Sequence, residues 1–180
     1  MRRAAGEGAK AFAARALHLE NVDFHVTASR WNGEEVIFVD YEHETGGEDG
    51  GGPMTDREVV ALISGPGAVW RQVQVTTGEW EGGPASVTAI GFANADHDKA
   101  QELIVMLTWP VQHYDVRGTS YEVRLLDDAE PGQTSLTYLK GASRLFAKNA
   151  CDCWRRDEPA EHFGFKTIAA VKRGLKRAGY

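Results

Sequence analysis

Oxygen-bearing side chains recur at alternate positions of one short segment of this sequence. Asn94, Asp96 and Asp98 alternate with other residues. Glu102 follows four positions after Asp98 and immediately precedes an apolar run. Alternate residues of a tight loop can turn their oxygens toward one point, and hard cations such as calcium prefer oxygen ligands. The spacing therefore predicts a cation site with these four side chains as ligands.

The segment from Val87 to Leu107 resembles the calcium-loop portion of an FG-GAP or VCBS-type repeat. In that repeat, a strand leads into the pattern D-x-[DN]-x-D-G-x-x-[DE]-L, and a second apolar strand follows. The positions that match this pattern are Asn94, Asp96, Asp98, Glu102 and Leu103. The resemblance implies that calcium is the bound ion.

Two residues depart from the pattern of the repeat. Asn94 stands where aspartate is usual, and Lys99 stands where glycine lets the loop turn sharply. One change removes a negative charge and the other adds a positive charge, so both weaken calcium binding. A loop without an ion, kept for its turn hydrogen bonds, stays open as the alternative. Only one copy of the pattern is visible, which excludes a propeller of four or more blades.

The elements that would position this loop are mostly strands. Apolar or alternating runs predict strands at Val22–Val26, Glu35–Tyr41, Val69–Thr76, Ala85–Phe92, Leu103–Trp109 and Tyr121–Leu126. Asn32-Gly33, between the first two runs, predicts a hairpin with a type I′ turn. Two further short strands are expected at Ser135–Leu139 and Phe163–Phe165.

Helical patterns are fewer. Ala9–Leu17 is alanine-rich, and Thr55 with Glu58 forms a capping-box pattern that predicts a helix through Ile63. Thr167 is expected to cap a final helix with an apolar stripe and an outward basic face. We therefore expect one α+β domain over residues 1–180, a largely antiparallel sheet of about six or seven strands with two or three helices.

The charge is unevenly distributed. The chain has 180 residues and a formal net charge of −6. Residues 1–130 carry 10 basic and 22 acidic groups, whereas residues 131–180 carry 10 basic and 4 acidic groups. The basic segment lacks the interleaved aromatic pattern of an RNA-binding sheet, so we expect no nucleic-acid partner. No segment approaches the roughly 18 consecutive apolar residues of a membrane span.

The cysteines and the N-terminus leave the compartment open. Cys151 and Cys153 are separated by one residue, so a local disulfide and two free thiols are both open. Arg2 and Arg3 are typical of the start of a signal peptide, but no apolar segment follows them. We expect a periplasmic protein whose leader has been removed, and a cytoplasmic protein is the alternative.

Two features predict a partner-binding surface. The glycine-rich acidic segment Glu42–Pro53 is expected to form an exposed, mobile loop. Aromatic and histidine residues near two later connections are expected to meet at one end of the sheet. The predicted partner-binding residues are Glu44, Glu48, Asp49, Trp80, Trp109, His113 and Tyr114. No G-x-S-x-G, phosphate loop or H-E-x-x-H motif is present, so no catalytic residue is assigned.

Acidic loops and exposed aromatic residues on a small protein are typical of inhibitors. In overall character, without any shared motif, the chain resembles the immunity proteins that neutralise secreted cell-wall amidases of type VI secretion systems in the periplasm. We expect a non-catalytic inhibitor that binds another protein, such as a cell-wall amidase, and a homodimer is compatible with the sequence. The alternatives are a calcium-stabilised extracytoplasmic binding module and an unrecognised hydrolase that uses His113 and Asp115.

Overall fold

The computed structural model describes residues 1–46, 54–148, 150–156 and 158–180. The chain divides into two compact units, Met1–Gly78 with Ala129–Leu136 and Glu79–Asp128 with Thr137–Tyr180. Each unit contains a four-stranded antiparallel sheet. The described residues form eight strands and three α-helices, which confirms the α+β class with slightly more strands than predicted. One domain over the whole chain stays a prediction.

The first unit is a meander of four strands with one helix against it. The strands are β1 (Phe24–Trp31), β2 (Glu34–Thr45), β3 (Met54–Gly65) and β4 (Val69–Gly78), and the helix is α1 (Ala9–Leu17). Helix α1 has the predicted bounds, and its Phe12 packs edge-on against Trp70 with ring centroids 5.2 Å apart. Ile37 and Leu62 join them in the core of this unit.

Asn32 and Gly33 form the turn between β1 and β2. Their φ angles are 49° and 89°, and Trp31 pairs with Glu34 across the turn. A type I′ turn requires positive φ at both central residues, which asparagine and glycine tolerate best. The predicted hairpin is therefore confirmed.

The helix predicted from Thr55 through Ile63 is wrong, because these residues belong to β3. Glu58 does not return to the backbone of Thr55, and it accepts a hydrogen bond from Thr77 Oγ1 at 3.0 Å. Val59–Ile63 is a run of five buried residues. Strand β3 pairs with β2 on one edge and with β4 on the other. A strand places consecutive residues on opposite faces, so an unbroken buried run fits a central strand better than one helix face.

The predicted acidic loop begins later than expected. Strand β2 extends to Thr45, which pairs with Met54 of β3, so residues 42–45 are strand and not loop. Residues 47–53, including the predicted contact residues Glu48 and Asp49, lie outside the described residues.

The second unit is also a meander of four strands, with one helix between its last two strands and another after them. Its elements are β5 (Ser86–Ala93), β6 (Glu102–Gln112), β7 (Val116–Leu126), α2 (Lys140–Ser143), β8 (Cys151–Arg155) and α3 (Ile168–Ala178). The sequence pattern did not predict β8. The strands predicted at Ser135–Leu139 and Phe163–Phe165 are wrong, because the first segment makes only isolated bridges and the second is irregular.

Helix α3 covers one face of the second sheet. Thr167 caps it as predicted, with its Oγ1 accepting a hydrogen bond from the Ala170 amide at 3.2 Å. Val171 and Leu175 are buried against Ile104 and other residues of the sheet. Helix α3 is the longest helix in the described part of the chain, and none there combines the length and apolar character needed to cross a membrane.

A glycine in β5 lets α3 pack closely on the sheet. A Cβ atom built on Gly91 would lie 2.5 Å from Ile168 Cγ2. We therefore expect Gly91→Ala to lower the free energy of unfolding by about 1–3 kcal/mol, the usual cost of overpacking. Chemical denaturation of the purified variant measures this loss.

The control is Gly164→Ala, whose Cβ would have no atom within 4 Å. We expect this variant to change stability by less than about 0.5 kcal/mol. Removing the opposing side chain with Ile168→Ala should shrink the cost of Gly91→Ala in a double-mutant cycle. An equal cost in both backgrounds would disprove the packing contact.

Candidate metal centre

The predicted cation loop connects β5 to β6. Ala93 at the end of β5 pairs with Glu102 at the start of β6, so residues 94–101 form a hairpin loop closed at its base. Side chains alternate along a strand, so Glu102 lies on the same face as Ile104 and Met106. Those two residues belong to the core beneath α3. Glu102 is itself fully buried, with 0% of its surface exposed.

Three of the four predicted ligands lie close together. Asp96, Asp98 and Glu102 each offer a carboxylate oxygen, and these oxygens all lie within 4.8 Å of one another. Asp96 and Asp98 are exposed, whereas Glu102 is buried. The cluster therefore has an open side formed by the loop and a closed side formed by the strand.

Hydrogen bonds within the loop hold its polar side chains in place. Asp96 Oδ1 accepts from the Asp98 amide at 3.1 Å, and Asp98 Oδ1 accepts from the Ala100 amide at 2.7 Å. Each aspartate uses its Oδ1 in this way, so the Oδ2 atoms take no part in these two hydrogen bonds. Asn94 Oδ1 accepts from the His97 amide at 3.0 Å, and its amide nitrogen donates to the Asp98 carbonyl. Asn94 thus stabilises the loop, and its role as a ligand stays a prediction.

Glu102 provides the main evidence for a bound ion. Its Oε2 accepts a hydrogen bond from the Ala95 amide, but its Oε1 is buried and has no hydrogen-bond partner among the described residues. Burial raises the pKa of the Glu102 carboxyl to about 7; the Ala95 hydrogen bond opposes this shift, and nearby carboxylates add to it. Burying a polar atom without a partner costs free energy, and a cation beside it would remove this cost.

Asp127 is a member of this electrostatic environment that sequence reasoning missed. Leu126, the last residue of β7, pairs with Leu103, so Asp127 emerges next to Glu102. The charge of Asp127, like those of Asp96 and Asp98, raises the pKa of Glu102. The available signal was an acidic pair, Asp127-Asp128, directly after a predicted strand.

The sharp turn of the loop falls on His97. Its φ is 74°, in the left-handed region, whereas the family pattern has its glycine at the position of Lys99. The His97 ring also stacks on Tyr180 beyond the end of α3, with centroids 5.2 Å apart and the planes 3° from parallel. The loop therefore contacts the segment that ends helix α3.

The predicted partner-binding residues fall in two places. Tyr114 is 89% exposed in the turn between β6 and β7, and Trp80 is 38% exposed in the segment before β5. A Cβ on Gly83 of that segment would lie 3.0 Å from Pro110 near the end of β6. Trp80 and the turn with His113 and Tyr114 are therefore both near this end of the second sheet. Glu44 is exposed on β2 in the first unit.

Trp109 does not belong to an exposed surface. It is 3% exposed, and its indole N–H donates to the Glu79 carbonyl at 2.8 Å. A buried side chain does not fit the predicted contact with a partner. Trp109 instead anchors the segment that contains Trp80. Sequence reasoning missed Trp154, which is 55% exposed on β8 opposite Arg117.

The centre is thus built from a hairpin loop and the buried start of a strand. The atoms that Asp96, Asp98 and Glu102 offer to an ion are all oxygens, which suit calcium or magnesium better than zinc or copper. No protein-family model matches this chain, and no curated protein or solved structure is significantly similar to it.

The raised pKa of Glu102 predicts how stability depends on pH in calcium-free buffer. The folded pKa of about 7 lies above the ordinary value of 4.5, so the fold favours the protonated carboxyl. The stability contributed by this group is fully present below pH 4.5 and is lost as pH rises through 7. The free energy of unfolding should therefore fall across this range.

Glu102→Gln should abolish this component, because the amide keeps the shape of the side chain and does not ionise. The free energy of unfolding of both proteins, measured between pH 4.5 and 8, gives the difference that belongs to Glu102. If the free energy of unfolding depended on pH in the same way in both proteins, ionisation of Glu102 would have no effect on stability.

Proposed function

We propose that the protein is a non-catalytic binding module whose second unit is stabilised by calcium at Asp96, Asp98 and Glu102. The observation that supports this proposal is the buried Glu102 Oε1, which lacks a partner among the described residues and lies in a carboxylate cluster. An ion there would satisfy the orphan oxygen and reduce the repulsion among the adjacent carboxylates.

Calcium fits this cluster better than other common metals. Calcium accepts six to eight oxygen ligands in irregular geometry, so loop carboxylates and water can complete its shell. Magnesium demands a near-ideal octahedron, and zinc prefers nitrogen and sulfur ligands. Binding would also fix the β5–β6 loop to the strand that starts at Glu102.

Calcium should raise the melting temperature of the protein. At a hundredfold excess over the dissociation constant, binding to the folded state adds about 2.7 kcal/mol, or about 5–10 °C for a chain of this size. Asp98→Asn should remove most of this rise, because asparagine can still accept from the Ala100 amide but lacks the charge. Calorimetry with calcium or with a chelator measures the shift.

Asp23→Asn is the matched control, since Asp23 is an exposed aspartate in the first unit. It should keep the full response to calcium. The site would be refuted if calcium did not change the melting temperature of the wild type, or if it raised that of Asp98→Asn by the same amount.

The partner in this proposal is another protein, specifically a secreted cell-wall amidase in the periplasm. The proposed activity is inhibition of that amidase. Support for a protein partner comes from the exposed aromatic side chains Tyr114 and Trp80, because such residues dominate the energetics of protein interfaces. The disulfide between Cys151 and Cys153 is compatible with an oxidising compartment such as the periplasm.

The hydrolase alternative has less support. His113 and Asp115 are exposed in the turn between β6 and β7. The His113 amide donates to the Val116 carbonyl at 2.9 Å, which closes a hairpin turn. A hydrolytic site needs a concave pocket that excludes water, and a projecting turn does not supply one. We therefore propose no catalytic role for these two residues.

Affinity purification from envelope and cytosolic fractions of the native host tests the partner. We expect one stoichiometric protein, retained by the wild type and at least tenfold less by a Trp80→Ala, Tyr114→Ala double variant. Val22→Ala is the control, because Val22 is an apolar residue with the same 38% exposure as Trp80.

Mass spectrometry identifies the retained protein, and an assay of the purified pair shows whether its hydrolase activity falls. Retention that is equal for the double variant and Val22→Ala would exclude the aromatic surface. The absence of a specific partner in both fractions would refute the protein-binding function.

A further inference from the structure

Cys151 and Cys153 are joined by a disulfide within β8. Their Cα atoms are 5.3 Å apart, whereas residues at this separation in a regular strand are about 6.6 Å apart. In the chain-entropy model, the stability that a disulfide gives grows with the length of the loop it closes. A bridge across one residue closes the shortest loop of this kind and therefore contributes little as a cross-link.

We propose that the Cys151–Cys153 disulfide is a thiol–disulfide exchange site that reacts with dithiol reductants in the folded protein. The position of β8 supports this function, because β8 is an edge strand of the second sheet. Cys151 is half-buried, whereas Cys153 is 4% exposed. Cys151 is therefore the more exposed of the two cysteines, and we assign the attack to its sulfur.

A glycine in β7 lets the backbone of β8 approach closely. Gly118 pairs with Cys153, and a Cβ atom on Gly118 would lie 2.7 Å from Cys153 Cα and closer still to the Asp152 carbonyl oxygen. Any side chain at position 118 would push the two strands apart. Gly118 thus permits the close approach of β7 to the strand that contains the disulfide.

The exchange takes place in two displacements. A thiolate of the reductant attacks Cys151 Sγ, a mixed disulfide forms, and the Cys151–Cys153 bond breaks with its electron pair leaving on Cys153 Sγ. The second thiolate of the reductant then attacks the reductant sulfur in the mixed disulfide. This closes the disulfide of the oxidised reductant and releases the Cys151 thiolate. The protein gains two electrons and two protons, and the dithiol is oxidised to its disulfide.

The residue between the cysteines links the bridge to the segment before α3. The Asp152 carboxylate accepts from the Phe163 amide at 3.0 Å and forms an ion pair with Lys166. The Cys153 amide donates a hydrogen bond to the Glu161 carbonyl at 3.2 Å, and the Glu161 amide donates to the Cys153 carbonyl at 2.8 Å. Reduction lets β8 lengthen, so it should loosen these contacts.

Alkylation after native reduction tests the exchange. The whole protein is incubated with millimolar dithiothreitol without denaturant, quenched in acid and labelled with N-ethylmaleimide for mass measurement. We expect complete labelling of both cysteines within minutes and an unchanged far-UV circular dichroism spectrum. Labelling that appears only after denaturation, or free thiols before reduction, would overturn the proposal.

Single-cysteine variants test the direction of attack. Cys153→Ser leaves Cys151 and Cys151→Ser leaves Cys153, and both are treated with an aromatic disulfide reagent. We expect the Cys151 thiol to react at least tenfold faster, and equal or reversed rates would contradict the assignment. If a variant does not fold, partial alkylation of reduced wild type followed by peptide mapping gives the same comparison.

Hydrogen exchange tests the link to α3. Reduction should speed exchange of the Glu161 and Phe163 amides at least tenfold. The Val171 amide, which donates to the Thr167 carbonyl within the helix, is the internal control and should not change. Equal protection of all three amides in both redox states would show that the bridge is not coupled to this segment.

Discussion

Strand β6 is buried on both of its faces, since every residue from Glu102 to Trp109 is buried. One edge pairs with β5 from Glu102 to Thr108, and the other pairs with β7 from Leu103 to Gln112. An antiparallel strand commonly leaves one face to water, and β6 leaves neither. Whatever side chain stands at the first position of β6 therefore loses its hydration. Burial there favours the protonated form of a glutamate, and a cation beside the carboxylate would offset the cost of ionising it.

A local turn signal predicted the β1–β2 hairpin correctly, whereas local signals failed for β3 and β8, which are determined by pairing within a sheet. Asn32-Gly33 determines its turn through backbone geometry that few other residues tolerate, so the sequence was sufficient. The segment from Thr55 to Ile63 carries a real helix-start pattern, but pairing with two neighbouring strands outweighs it. Strand β8 was missed because Cys151–Arg155 has no apolar alternation; it is recognisable only from its pairing with β7.

In the candidate site, too, some features are evident from the sequence and others depend on the fold. The alternation of Asn94, Asp96 and Asp98 is a property of the sequence, and so is the loop that they form. The full burial of Glu102 and the approach of Asp127 depend on strand register, which no short pattern contains. The exposure of aromatic residues is likewise a property of the fold. Trp109 and Tyr114 are only five positions apart, yet one is buried and the other is almost fully exposed.

The hairpin of β5 and β6 contacts the start of helix α3 and the segment beyond its end. At the start of α3, Ile168 rests on Gly91 of β5, and the Thr167 side chain caps the first turn. At the other end, Tyr180 stacks on His97, the loop residue with left-handed backbone. That conformation costs free energy in a histidine, so the hydrogen bonds of the loop must maintain it. An ion that tightens the loop would therefore also fix the ring on which the last residues of α3 pack.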